Sequence, residues 1–164
     1  MRYKTPKIGE VYEVYLRDGM KGYVQYIAND ITQLNSDVIR VFKGREPIDS
    51  EPDINKIIDG EVEFYAHVTG MEFGVKDGFW KKIGQSDNLG DLKKPFFRSS
   101  SDSGKPSVKV SKEWYVWRIN EPSVYVGKLE GENIRADEGS ALPPAWIVER
   151  MNTGKYQFFS PGYK

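Results

Sequence analysis

The chain has 164 residues, which suits a single domain with a hydrophobic core over residues 1–164. Its 24 Lys and Arg residues balance 24 Asp and Glu residues, so net charge favours neither nucleic-acid binding nor mimicry of nucleic acid. The chain contains no Cys, which excludes disulfides, thiolate catalysis and Cys-based zinc sites and is compatible with a reducing compartment. The basic N-terminus leads into no apolar stretch, so we predict a soluble cytoplasmic protein without a signal peptide or membrane span.

The first third of the chain predicts three consecutive β-strands. Residues 9–17 alternate between the two faces of a strand, and Asp18-Gly19 is a dipeptide that readily adopts the positive φ of a tight hairpin turn. Residues 22–28 and 38–42 are the next two strand candidates. Three β-rich segments in succession indicate an antiparallel meander or the start of a small barrel.

The middle of the chain predicts a short helix capped by Asp53, followed by a strand over residues 61–69. Residues 70–84 contain four Gly, which indicates tight turns between apolar anchors. Residues 91–97 are predicted to be extended because they contain Pro95, and the Ser-, Gly- and Pro-rich residues 98–107 to form an exposed, mobile loop.

The last third predicts a hairpin and a helix. Residues 113–119 and 123–129 have the composition of two strands joined across Asn120-Glu121-Pro122. Residues 143–151 have helical spacing with Pro at the start, and Gly154 ends the helix.

Together these elements predict a mainly β, α+β protein: a strongly bent antiparallel sheet or small open barrel with one or two short helices. The meander, residues 9–43, is expected to pair with the strands near 62–69 and 113–129, and the helix near 144–152 to cap an open end. The side chains predicted to point inward are Val14, Leu16, Val41, Phe64, Ala66, Val68, Val116 and Ile147.

The sequence offers little catalytic chemistry. His67 is the single His, no Gly-x-Ser-x-Gly motif exists, and a catalytic zinc site normally uses more than one His. We therefore predict no enzyme activity, catalytic residue, metal or cofactor. An enzyme with a carboxylate-based site stays an alternative, since a pair can be drawn from several acids, namely Asp18, Glu63, Glu72, Asp77 and Glu113.

The first alternative to a protein-binding role, ahead of an enzyme, is a small β-module that binds RNA or single-stranded DNA. Aromatic residues interleave with Lys and Arg in residues 109–118 and in Trp80-Lys81-Lys82. Exposed aromatics with flanking cations can stack bases. The zero net charge and a strand that is apolar on both faces favour core packing instead, so we expect nucleic-acid binding to be absent.

An ordered set of motifs over residues 7–151 resembles the immunity protein 26 family of bacterial polymorphic toxin systems. The motifs are Lys7-Ile8-Gly9-Glu10-Val11-Tyr12, Asp18-Gly19, Gly22-Tyr23, Val41-Phe42, Trp80-Lys81-Lys82-Ile83-Gly84, Leu92-Lys93-Lys94-Pro95-Phe96-Phe97 and Pro144-Ala145-Trp146-Ile147-Val148-Glu149-Arg150. The resemblance implies a non-catalytic protein that binds a cognate secreted toxin domain and blocks it. Trp80 and Trp146 lie in these segments, and we predict both to be core residues.

A partner-binding role needs exposed residues on a rigid element. The outward face of the strand at 61–69 and the turn-rich segment after it supply the first candidates, which are Glu63, Tyr65, His67, Glu72 and Asp77.

Overall fold

The structure, a computed structural model, describes residues 4–164, which form β-strands connected by loops and short helices. The strands are β1 (Glu10–Tyr15), β2 (Met20–Asp30), β3 (Ser36–Phe42), β4 (Glu46–Pro47), β5 (Val62–Val68), β6 (Trp80–Gln85), β7 (Phe96–Ser100), β8 (Trp114–Arg118), β9 (Val124–Gly127), β10 (Asp137–Glu138) and β11 (Ala141–Leu142). The helices are α1 (Ile54–Ile58), α2 (Met71–Lys76) and α3 (Pro144–Thr153), with a 3₁₀ helix at Gly131–Arg135.

The first sheet is built on the predicted meander. β1 and β2 pair antiparallel across Asp18-Gly19, whose φ values of 60° and 68° are those of a two-residue hairpin turn. β3 pairs with β2, and β5 pairs with β3, both antiparallel, which confirms these predicted neighbours. β6 and β11 complete the strand order β11-β5-β3-β2-β1-β6 within residues 4–164, and β4 adds to β2.

The second sheet has the order β10-β7-β8-β9 within the described residues. Its hairpin of β8 and β9 was predicted, but the prediction that residues 113–129 pair with the meander is wrong. The hairpin pairs instead with β7, and Phe97 and Trp117 pack against Ile27 and Val38 of the first sheet. Two packed sheets, and not a closed barrel, therefore make up residues 4–164.

Both faces of the first sheet are covered. One face carries the main core, where α2 and α3 pack on the sheet, and the other is shared between α1 and the second sheet. The predicted inward positions are buried, except that Leu16 is only partly buried; Val116 lies in a separate cluster with Trp114 and Leu129.

The segment predicted as tight turns forms α2 and β6. Gly74 enters the helix because the Trp80 ring fills the space beside it, so that a Cβ at Gly74 would lie 1.9 Å from Trp80 Cε2. The expected loop at 98–107 is also wrong for residues 98–100, since these belong to β7. In each case a contact outside the local segment overrides its turn-like composition: the Trp80 ring for α2, and pairing with β8 for residues 98–100.

The helix ends follow local rules. The Asp53 side chain accepts a hydrogen bond from Lys56 N–H at the start of α1, as predicted. Gly154, with a φ of 85°, ends α3. Trp80 is a core residue as predicted, whereas the prediction for Trp146 is wrong, because it is 45% exposed and stacks on Phe158. No helix in residues 4–164 is both long and apolar enough for a transmembrane span.

Candidate functional site

The five residues predicted for partner binding do not form one surface. Glu63, Tyr65 and His67 lie on β5 and point away from the main core, whereas Glu72 and Asp77 belong to α2 and its C-terminus on the opposite side of the first sheet. Glu63 and Asp77 are exposed, and Tyr65 and Glu72 are partly buried. The expected exposure of His67 is wrong: the side chain is fully buried because the second sheet covers this part of β5.

Three of the four that remain accessible make contacts within the chain. Glu63 forms an ion pair with Arg45 at 3.0 Å, and the Asp77 N–H donates to Phe73 O at the end of α2. The Tyr65 N–H donates to Asp137 Oδ2 at 3.0 Å. These contacts give each residue a local structural role, and their partner-binding role stays a prediction.

His67 belongs to a buried polar array. Its Nδ1 lies 3.0 Å from Ser36 Oγ and its Nε2 lies 3.7 Å from Asp30 Oδ2. Burial lowers the pKa of His67 to about 4, although the Asp30 charge acts in the opposite direction. At neutral pH the imidazole is therefore uncharged. Its hydrogen bond with Ser36 links β5 to β3 beneath the second sheet, whereas His67 Nε2 and Asp30 Oδ2 face each other without a hydrogen bond; no member of the array is more than 4% exposed.

The same Asp30 carboxylate holds two turns side by side. Its Oδ1 accepts hydrogen bonds from Gln33 N–H at 3.1 Å and from Asn120 N–H at 3.0 Å. The Asn120 side chain in turn accepts from Ile31 N–H at 2.8 Å. Because backbone donors of both turns converge on one buried carboxylate, the β2–β3 turn and the β8–β9 turn have a fixed relative position.

This arrangement exposes a set of apolar side chains, here called the apolar surface. Its members are Ile31, Leu34, Tyr115 and Tyr125, exposed to 73%, 47%, 37% and 54%. Leu34 and Tyr115 line a cavity of about 290 Å³, together with Trp117. The Tyr115 and Tyr125 rings pack edge to face, with centroids 5.3 Å apart. Turn and hairpin thus present a concave, aromatic surface on rigid strands.

The backbone at Leu34 is strained. Leu34 and Asn35 have φ values of 61° and 41°. Asn tolerates this left-handed region, whereas for a residue such as Leu it costs about 1 kcal/mol or more. The fold therefore holds a leucine in an unfavourable conformation while leaving nearly half of it exposed, and strain of this kind concentrates at functional sites.

The neighbouring strand edge is uncharged. β9 is the outer strand of the second sheet within residues 4–164, and residues 122–127 carry no Lys, Arg, Asp or Glu. At the edge of the first sheet, β6 instead exposes Lys81 and Lys82. Charged side chains discourage the addition of a further strand, so β9 is the less protected of these two edges.

A second concavity, here called the cationic pocket, has a volume of about 280 Å³ and is lined by Tyr65 of β5 and by residues in and next to the second sheet. Its walls include Tyr65, Lys94, Phe96, Arg118, Arg135 and Asp137. Burial raises the pKa of Asp137 to about 6, against the opposing effects of the Tyr65 N–H and of Arg150 and Arg98. Burial also raises the pKa of Glu138, which accepts hydrogen bonds from Ser140 and Ser160.

Both concavities involve residues that the sequence did not single out. The alternation in β8 placed Tyr115 on the same face as Trp117 but could not tell which end of that face is covered. The sequence carried two usable signals: Asn35, because Asn is common where φ is positive, and the absence of charge in residues 122–127.

Comparisons with known proteins leave the family of this chain open. The chain matches no protein-family model, no curated protein and no solved structure. Its resemblance to the immunity protein family therefore stays a prediction.

Proposed function

We propose that this chain is a non-catalytic protein-binding module of the immunity type, which binds a cognate bacterial toxin domain in the cytoplasm and blocks it. The observation that carries the proposal is the apolar surface, above all the exposed and strained Leu34 beside Tyr115 and Tyr125. The sequence resemblance suggests the class of partner, and the exposure of the apolar surface supports it as the place where that partner docks.

The apolar surface has properties that favour protein recognition. Tyr side chains are enriched in interfaces, because they bury a large area while losing little conformational freedom. Tyr115 and Tyr125 stand on paired strands, and the Asp30 carboxylate fixes the turn that carries Ile31 and Leu34. Little ordering entropy is then lost when a partner docks.

The charges around the apolar surface favour a protein over a nucleic acid. Tyr125 Oη donates to Glu113 Oε2 at 2.8 Å, so a carboxylate lies directly beside the exposed aromatic pair. A nucleic-acid strand stacked on these rings would bring its phosphates towards that negative charge, whereas single-strand binding surfaces are normally lined with cations.

Support for a non-catalytic role comes from the two places where acid–base groups gather. The Ser36–His67–Asp30 array is buried, which leaves little access for a substrate. The cationic pocket is lined by two carboxylates, of which Asp137 has a pKa raised by burial while Glu132 is exposed on the 3₁₀ helix, so the two do not share one enclosed setting. A paired-carboxylate mechanism needs both groups at the substrate.

A toxicity rescue tests the proposal. The toxin domain that the proposal expects to be encoded next to this chain is expressed with the wild-type chain, with Tyr125→Ala and with Phe73→Ala, and growth and co-purification are followed. Phe73 is a matched control because it is 44% exposed on α2, away from the apolar surface. We expect wild type and Phe73→Ala to rescue growth and form a complex, and Tyr125→Ala to weaken both, since interface Tyr anchors commonly contribute about 2 kcal/mol.

Absence of rescue and of a complex with the wild-type chain would refute the immunity role. Rescue by all three chains would keep the role but would show that docking occurs elsewhere.

A further inference from the structure

The cationic pocket lies apart from the apolar surface. Register places Phe96 and Arg118 together on one face of the second sheet, whereas Tyr115 and Tyr125 pair on the opposite face. The pocket opens beside Phe96 and Arg118 and reaches Tyr65 on β5. A ligand in this pocket would therefore not compete directly with a partner on the apolar surface.

Three cations of this pocket have no ionic partner. Across residues 4–164, no carboxylate oxygen lies within 4.0 Å of a side-chain nitrogen of Lys94, Arg118 or Arg135. This holds even though Glu132 and Asp137 line the same pocket. Cations that converge on a concavity without pairing to the acids beside them create a positive potential where an anion can enter.

Contacts within the chain already orient the Arg118 side chain to receive such an anion. Its guanidinium lies 4.5 Å from the centroid of the Phe96 ring, and its Nη1 donates to Lys93 O at 2.7 Å. Two contacts fix the plane of the guanidinium and leave further N–H groups for a ligand. A fixed planar fork matches the two oxygens of a carboxylate or phosphate, and Lys94 and Arg135 add charge without demanding a set geometry.

The walls and the size of the pocket define the rest of the ligand. Tyr65 and Phe96 supply apolar surface, and the Asp137 carboxyl is a hydrogen-bond acceptor for a polar group of the ligand. The volume of about 280 Å³ lies at the lower end of ligand pockets, which excludes large molecules.

We propose that the cationic pocket binds a compact organic anion, in which an aromatic or other apolar body carries one phosphate or carboxylate group. Arg118 receives the anionic group, Lys94 and Arg135 neutralise it, and Tyr65 and Phe96 contact the body. This ligand site is separate from the apolar surface and would be a second binding function, in addition to toxin binding.

A titration of the ¹⁵N-labelled chain with phenyl phosphate, inorganic phosphate and phenol tests this site. Millimolar phenyl phosphate is expected to shift the backbone amides of residues 93–97 and 132–137. Inorganic phosphate should act at the same amides but more weakly, because it lacks the apolar body, and phenol should leave them unchanged. Absence of shifts with phenyl phosphate, or shifts confined to other residues, would overturn the proposal.

Variants then assign the binding to the named cations. Arg118→Gln and Lys94→Gln are each expected to weaken phenyl phosphate binding at least about tenfold, as the loss of a charge-assisted contact implies. Lys81→Gln, which removes an exposed cation on β6, is the matched control and should bind like wild type. Lys94 is exposed, so its replacement tests the site even if Arg118→Gln perturbs folding. Equal affinity in wild type and Lys94→Gln would contradict the assignment.

Discussion

His67 shows at the scale of a single residue how burial, and not sequence position, decides a side chain's role. Its place in an alternating strand predicted a solvent-facing residue, yet the ring packs 4.2 Å from the Phe97 ring and bonds Ser36. The energetic consequence is a folded-state pKa of about 4 against 6.5 for a solvated imidazole. The folded chain therefore resists protonation that the unfolded chain accepts.

This resistance predicts a specific pH dependence. Between pH 6.5 and 4 the unfolded chain binds more protons at His67, so the free energy of unfolding falls as the pH falls through this window. From about pH 7.5 to about pH 4.5 the loss should be about 2 to 3 kcal/mol. Urea denaturation of wild type and of His67→Gln at both pH values measures this fall in the free energy of unfolding. An equal fall in the two chains would rule out His67 as the source of the pH dependence.

Leu34 gives the second prediction at this scale. Leu34→Asn places a residue that tolerates positive φ in the strained position, so we expect the free energy of unfolding to rise by about 0.5 to 1 kcal/mol. Toxin binding should weaken, because an exposed apolar anchor is lost. Thermal or urea unfolding measures the stability of the variant, and co-purification measures its toxin binding. A less stable variant with full toxin binding would contradict both the strain and the role of Leu34.

At the scale of elements, local sequence rules succeeded where the interaction is local. Alternation located β1 and β5, Asp18-Gly19 set the first hairpin turn, and Asp53 capped α1. The rules failed for α2, because Gly74 looks like a turn residue until the Trp80 ring is packed against it. Local composition cannot report that a ring six residues further along the chain leaves no room for a side chain.

A pair of glycine replacements tests the element boundaries. Gly154→Ala should lower the free energy of unfolding by about 1 kcal/mol, because its φ of 85° is unfavourable for a residue with a Cβ. Gly44→Ala is the matched control, since a Cβ there meets no atom within 4 Å and its φ is ordinary; it should be neutral or slightly stabilising. Comparable losses in both variants would contradict the cap assignment for α3.

At the scale of the whole molecule, the sequence predicted the class of fold but not how the sheets assemble. Residues 113–129 were correctly predicted as a hairpin, yet their partner is β7 and not the meander. Alternation reports which residues share a face, whereas strand order depends on contacts far apart in the chain, such as Phe97 and Trp117 on Val38.

The candidate site was missed for the same reason. The apolar surface combines the β2–β3 turn with β8 and β9, which the buried Asp30 carboxylate brings together through Gln33 and Asn120. Exposure of Tyr115 and Tyr125 follows only from the assembled sheets. The exposed strand residues that the sequence favoured instead, such as Glu63, pair within the chain.

Hydrogen–deuterium exchange on the co-purified toxin complex tests the central claim most directly. If the chain docks through the apolar surface, toxin binding should slow exchange of the backbone amides in residues 31–35 and 114–127. The amides of α2, which lie across the first sheet, should exchange as they do in the free chain. Protection confined to α2 and β6, with residues 31–35 and 114–127 unchanged, would contradict the proposed docking surface.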